Sequence, residues 1–201
     1  MVKATIYIEG GAPGPKADAQ FREAWRGFFR RAGIQRPPAV VRGRGRTDTY
    51  DDFRNHIGDK TEDSIPLLLV DSEDVVTPGK SCWQHLKERK ADGWNRPEGA
   101  TEDSVFLMIC TMETWFLADL DALKVFFHPD LREKHLPPEG THLESKPKAD
   151  VIAALDRATA RCKRPYGKGR LSFELLSTID PIEVEKRCPA AKRLLDRLRS
   201  I

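Results

Sequence analysis

The 201-residue chain carries 34 Lys and Arg against 31 Asp and Glu, a formal net charge of +3, with 39% hydrophobic and 32% charged residues. That length supports a hydrophobic core without disulfide staples, and the composition is that of a folded soluble protein, not a disordered one. The charge is unevenly placed: from Val151 onward 12 Lys and Arg face 6 Asp and Glu, so an acidic front precedes a basic tail. Such a division suits a metal site beside a phosphate-binding surface, and equally a solvated helical tail.

The longest strongly apolar runs, Ile65–Val70 and Val105–Cys110, fall far short of a membrane-spanning helix, which needs about 20 residues. The opening Met-Val-Lys-Ala-Thr-Ile-Tyr-Ile-Glu reads as a strand, not as a secretory signal. Cys82, Cys110, Cys162 and Cys188 form no CxxC pair, which argues against a zinc site and a disulfide framework. The reducing cytoplasm is the expected compartment, with no membrane partner.

In chain order, Ala4–Glu9 is a strand, followed by a glycine-rich turn through Gly10, Gly11 and Gly14. Phe21, Trp25, Phe28, Phe29 and Ala32 then recur at helical spacing, with Gly33 as the stop. A short strand, Ala39–Arg42, precedes a Gly43–Arg46 break, after which Thr47 or Asp48 caps a helix carrying Tyr50, Phe53 and Ile57. Ile65–Val70 is apolar without alternation, as in a strand covered on both faces. A polar region around Trp83, His85, Leu86 and Trp94 has room for a short helix. The fourth strand, Ser104–Cys110, runs into a helix over Thr111–Asp119. Residues 127–148 read as loop, and from Ala149 the chain reads as wholly helical, with one stripe at Val151, Ile152, Leu155 and Cys162 and another from Val184 to Leu198.

Strands joined by helix-length connections predict an α/β fold: a doubly wound, mainly four-stranded parallel sheet over residues 1–125, with a loop and helical C-terminal extension, 126–201, packed on it. Ligands bind at the carboxyl ends of strands in open α/β sheets. The first strand ends in Glu9, the third in Asp71 with Glu73 and Asp74 beyond, and the fourth leads to Glu113. Crowded carboxylates repel one another unless a cation is present, and an all-oxygen set suits Mg²⁺ or Mn²⁺. A Mg²⁺ held by one or two carboxylates keeps positions open for water and phosphate oxygens, as phosphodiester hydrolysis requires. The bland readings are an exposed loop acid for Glu9, turn caps for Glu73 and Asp74, and a helix-dipole acid for Glu113.

Arg42, Arg44 and Arg46, spaced by glycines, follow the second strand and belong on the same edge, as phosphate-binding forks or as a solvated turn. Lys146 and Lys148, as phosphate-binding candidates, and the Tyr166–Arg170 stretch are a second positive feature. Lys168 is the candidate catalytic lysine there, placed to stabilise charge developing on phosphorus, with surface charge as the alternative. The glycines after Glu9 match neither GxGxxG nor GxxxxGK[ST], and prolines at 13 and 15 remove backbone donors, so a dinucleotide site and a P-loop are both excluded.

Ile6-Tyr7-Ile8-Glu9-Gly10-Gly11 and Leu68-Leu69-Val70-Asp71-Ser72-Glu73-Asp74 together resemble the TOPRIM motif set of topoisomerases, primases and the overcoming-lysogenization nucleases. Met112–Asp119, Lys146–Asp150 and Lys168–Phe173 resemble segments of small bacterial TOPRIM-like proteins, among them an uncharacterised domain family and relatives of RloB. The resemblance implies a Mg²⁺-dependent site with Glu9 as general acid/base or metal ligand, Asp71 and Glu73 as ligands, and Glu113 as a further ligand or its support. The usual motif is Asp-x-Asp, and here Glu73 stands second with Asp74 adjacent, so both remain candidates. Relatives often work beside an ATPase in phage defence, which makes an ATPase partner an expectation by resemblance alone.

These features predict a metal-dependent nuclease-like enzyme with DNA or RNA as partner. Two other readings stand beside it: a non-catalytic interaction subunit and a small-molecule phosphohydrolase.

Overall fold

The computed structural model describes residues 3–10, 15–59 and 63–201; the glycine-rich stretch 11–14 lies outside them. Strands β1 (Lys3–Glu9), β2 (Ala39–Gly43), β3 (Ser64–Asp71) and β4 (Val105–Met108) form one sheet in the order β2-β1-β3-β4. All three pairings are parallel, as expected, so every strand points its carboxyl end at the same edge.

The lack of alternation in the strands follows from burial on both faces. Successive strand residues point to opposite sides. Ile6, Ile8, Leu67, Leu69, Phe106 and Met108 pack on the face covered by α1 (Pro15–Arg31). Leu68, Val70, Val105 and Leu107 pack on the other, against Phe53 of α2 (Arg46–Gly58) and Trp83 and Leu86 of α3 (Cys82–Glu88). The α1 face also takes the C-terminal helices α6 (Lys148–Thr159), α7 (Arg170–Leu176), α8 (Pro181–Arg187) and α9 (Pro189–Arg199). Their Val151, Leu155, Phe173, Leu176, Val184 and Leu194 join the same buried cluster as Trp25 and Phe28 of α1. No helix among the described residues is long and apolar enough to cross a membrane.

Four local expectations change. The stretch from Ala149 is not wholly helical, because residues 160–169 between α6 and α7 are turn and loop. Helix α2 starts at Arg46 with Gly45 as its N-cap and no side-chain cap, not at Thr47 or Asp48. Asp48 instead reaches back to Arg44, and Thr49 packs so closely on Gly43 that a Cβ there would lie 1.8 Å from its hydroxyl. The helix expected over Thr111–Asp119 is one turn, α4 (Glu113–Phe116), because Asp119 caps the next helix, α5 (Leu120–Phe126), accepting from Ala122 N at 2.9 Å. The fourth strand is shorter than expected: Ser104 closes a 3-10 turn, and Cys110 adopts φ 61°, a left-handed conformation that ends the extended chain.

At the sheet margin, the Val105 carbonyl of β4 accepts from Arg193 Nη2, and that guanidinium lies 4.4 Å from the Phe106 ring centroid. One α9 side chain thus covers both an open backbone acceptor and an aromatic face of the edge strand. Arg193→Met keeps the apolar stem and removes the donor, leaving a buried carbonyl unpaired. The expected loss is about 1–3 kcal/mol, read as a lower urea midpoint at unchanged slope.

Candidate functional site

Glu9 ends β1, Asp71 ends β3 and Glu73 follows it, while Glu113 opens α4 just after β4. Parallel pairing brings all of them to one rim, where they line a cavity of about 550 Å³. Lys148, at the start of α6, and Lys168, just before α7, enter it from the C-terminal half of the chain. A larger cavity of about 830 Å³ opens beside Lys3, Ala39 and Ile201, at the strand starts, and shares no residue with the carboxylate rim.

Asp71 is the centre of the group. Its Oδ1 accepts from Met112 N at 2.9 Å, its Oδ2 lies 3.2 Å from Thr111 Oγ1, and Lys148 Nζ is 3.7 Å away. Burial, then the nearby negative charge of Glu113, Glu9 and Glu73, push its carboxyl up to about 7, with Lys148 opposing. Lys148 also donates to Glu73 Oε2 at 2.6 Å. Burial works against the Lys148 charge, but Glu73 and Asp71 more than offset it and leave its pKa raised.

Glu73 adopts φ 67°, a left-handed conformation unusual for a side-chain-bearing residue. The turn that imposes it is pinned on both sides. Ser72 N donates to Met108 O at 2.8 Å, Glu73 N donates to Cys110 O at 3.0 Å, and the Ser72 hydroxyl accepts from Cys110 N at 2.6 Å. The ends of β3 and β4 are therefore latched together immediately below the carboxylates.

Arg46 ties β1 to β3. Its Nη1 donates to Glu9 Oε2 at 2.9 Å and to the Asp71 carbonyl at 2.7 Å, while Nε and Nη2 grip both oxygens of Asp92 at 2.7 and 2.9 Å. The guanidinium lies 5.0 Å from the Trp94 ring, which itself stacks on Tyr50. Glu113, 2% exposed, is held by the Tyr166 hydroxyl, which donates to Oε1 at 2.6 Å, and by Thr111 at Oε2. Lys168 Nζ stands 3.6 Å from the same Oε2. Burial and Glu113 raise the Tyr166 pKa, so the phenol stays a donor.

The remaining sequence candidates fall elsewhere. Asp74 turns outward to Arg89 and does not line the cavity. Arg44 is an exposed partner of Asp48. Lys146 does not line the cavity either. Arg42 does, but its side chain is 7% exposed, with the guanidinium bonded to Asp18 and the Gly10 carbonyl and set against Phe21 and Phe173. Arg42 and Arg46 are thus internal struts in this arrangement. Asp92, Thr111 and Tyr166 have support roles that the sequence reading does not assign. Asp92 lies in a polar loop with no pattern to mark it, whereas Tyr166 at least adjoins Lys168.

The donor chemistry fits a hard divalent cation, since the four acids offer only oxygen. Asp71 in particular is a buried carboxylate whose charge is opposed by three neighbouring acids. Even so, among the described residues no group of three or more His, Cys, Asp and Glu is placed to hold a metal. Each acid is turned onto a protein donor instead: Glu9 onto Arg46, Glu73 onto Lys148, Glu113 onto Tyr166 and Thr111.

Residues 16–199 match the family described as "Domain of unknown function (DUF4276)". The chain belongs to that family. The DUF4276 span includes Asp71, Glu73, Glu113, Lys148 and Lys168 and begins after Glu9. No curated protein and no solved structure matches the chain.

Two outcomes test this geometry. With divalent ions chelated, Asp71→Asn is expected to melt higher than the wild type at pH 8, because it removes a buried charge that the fold disfavours. Asp71 becomes neutral as pH falls through about 7, so the margin narrows below that pH; thermal melts across pH 5 to 8 check it. Separately, Glu73→Gly relieves the left-handed backbone while Glu73→Ala does not. The glycine variant should be the more stable of the two by about 1 kcal/mol, measured by chemical denaturation.

Proposed function

We propose that the protein is a divalent-metal-dependent hydrolase of nucleic-acid phosphodiesters, with Mg²⁺ or Mn²⁺ as cofactor. The observation that carries the reading is the meeting of Glu9, Asp71, Glu73 and Glu113 with Lys148 and Lys168 in one cavity at the carboxyl edge of a parallel sheet. The likeness of Glu9 and Asp71-Ser72-Glu73 to the TOPRIM motif supports it.

Glu9, Asp71 and Glu73 are the residues that would hold the ion; Glu9 is bonded to Arg46, and Glu73 and Asp71 stand beside Lys148. When bound, the ion supplies Lewis-acid neutralisation of phosphate charge and an acidified water. Arg46, gripped by Asp92 and bonded to the Asp71 carbonyl, stands beside Glu9 as a fixed positive charge. Lys148 remains between Asp71 and Glu73 as a positive charge on the cavity wall. Lys168, 54% exposed at its side chain, reaches in from solvent and suits charge building on a phosphate oxygen. Tyr166 and Thr111 orient Glu113 towards Lys168.

The test is titration with Mg²⁺ and Mn²⁺ of the wild type and Asp71→Asn, followed by melting temperature and by cleavage of plasmid and RNA. The expected result is metal-dependent stabilisation of the wild type that Asp71→Asn abolishes, with cleavage reduced roughly a hundredfold. Absence of both effects in the wild type overturns the reading and favours an interaction subunit. Hydrolysis confined to free nucleotides favours a small-molecule phosphohydrolase.

A further inference from the structure

The carboxylate rim accounts for only part of the cavity it lines. The same space continues to α1 and α7, where Ala17, Gln20 and Phe21 on one helix and Phe173 on the other form the wall. Phe21 and Phe173 meet edge to face at 5.3 Å, and the Arg42 guanidinium lies against both rings, 5.3 and 5.7 Å from their centroids. Gly10 completes the packing: a Cβ there would come within 2.6 Å of Arg42 Cγ and 3.0 Å of Phe21. Met108 and Met112 carry the apolar lining back to Asp71, which pairs in register with Met108 and accepts from Met112 N.

Two features of this wall bear on what it takes. Gln20 lines the cavity, and its carboxamide makes no hydrogen bond to the described residues. It is an uncommitted donor and acceptor beside apolar surface. The positive charges of the outer wall, Lys168 and Arg170, are exposed, with side chains 54% and 80% accessible. The cavity therefore offers an apolar compartment with one free amide, next to a charged compartment whose cations stand open to solvent.

We infer that this cavity receives a single nucleotide unit with an unpaired base, its base against the α1–α7 wall beside Gln20 and its phosphate between Lys168 and the carboxylate rim. The inference rests on the proposed function and names its substrate class. A cavity of about 550 Å³ lies within the ~300–1,000 Å³ range of small-ligand sites. A base inside a duplex is stacked on both faces and paired along its edge, so it cannot enter such a space without leaving the helix. Single strands and strand ends meet no such cost. The carboxamide of Gln20 can both donate to and accept from a base edge, whereas an ionised phosphate offers it only acceptors.

The whole chain in Mg²⁺ buffer is the material for the test. The probes are a single-stranded oligonucleotide, the same sequence as a blunt duplex, a nucleoside monophosphate and inorganic phosphate, with affinities read by calorimetry and fluorescence anisotropy. Single strand should bind about tenfold more tightly than duplex, and the nucleoside monophosphate should compete where inorganic phosphate does not. Gln20→Ala should weaken binding of the single strand about fivefold and leave the Mg²⁺-dependent melting shift unchanged. Binding of the monophosphate but not of the oligonucleotide overturns the single-strand assignment and leaves the compartment to free nucleotides. Equal affinity for duplex and single strand, or equal competition by inorganic phosphate, overturns the inference. Failure of Mg²⁺ to stabilise the protein overturns the metal reading separately, because the binding arms do not depend on turnover.

Discussion

Asp71 is held where its own charge is unwelcome. It is buried at the end of a central strand, faces three other acids, and is offset by one nearby ammonium, that of Lys148. Every other feature of the rim bears on this constraint. Arg46 fixes Glu9 and the Asp71 backbone from below, and Asp92 fixes Arg46. Ser72 latches the ends of β3 and β4, and Tyr166 and Thr111 hold Glu113. Like charges this close stay together only because the surrounding scaffold is stiff and because basic side chains stand among them.

The stiffness comes from the sheet. Its strands are buried on both faces, so sliding one strand by a residue would move apolar side chains into the wrong cluster. The C-terminal helices matter for a second reason. They close the core over Trp25 and Trp115, and the segments that lead into them deliver Lys148, Tyr166 and Lys168 to the rim. A chain ending after β4 and α5 would keep the carboxylates and lose those partners. Sheet and extension are therefore joined at the site as well as in the core.

The strain at Glu73 fits the same picture. A left-handed residue that is not glycine persists where surrounding bonds over-determine it, and here the Ser72 latch and the Glu73 N–Cys110 O bond do so. The reward is position, since the turn directs the Glu73 carboxylate to Lys148, whereas Asp74, one residue on, faces Arg89 at the surface.

Much of this was legible in the chain itself. Unbroken apolar runs such as Leu67–Val70 identify a strand covered on both sides, helical spacing of Phe21, Trp25, Phe28 and Phe29 identifies α1, and together they dictate a parallel α/β sheet; acids directly after strands then mark its carboxyl edge. These are local properties, set by backbone periodicity and side-chain polarity. Which charges meet was not local. Arg42, Arg44 and Arg46 look equivalent in sequence, yet one lies under an aromatic wall, one is in solvent and one bridges Glu9 to Asp71. Asp92 acquires its role only from a guanidinium 46 residues away, and Lys148 reaches Glu73 across 75 residues. Hydrophobic patterning selects the layers of a fold, but the pairing of polar side chains depends on distances of a few ångströms, which only the packed tertiary structure determines.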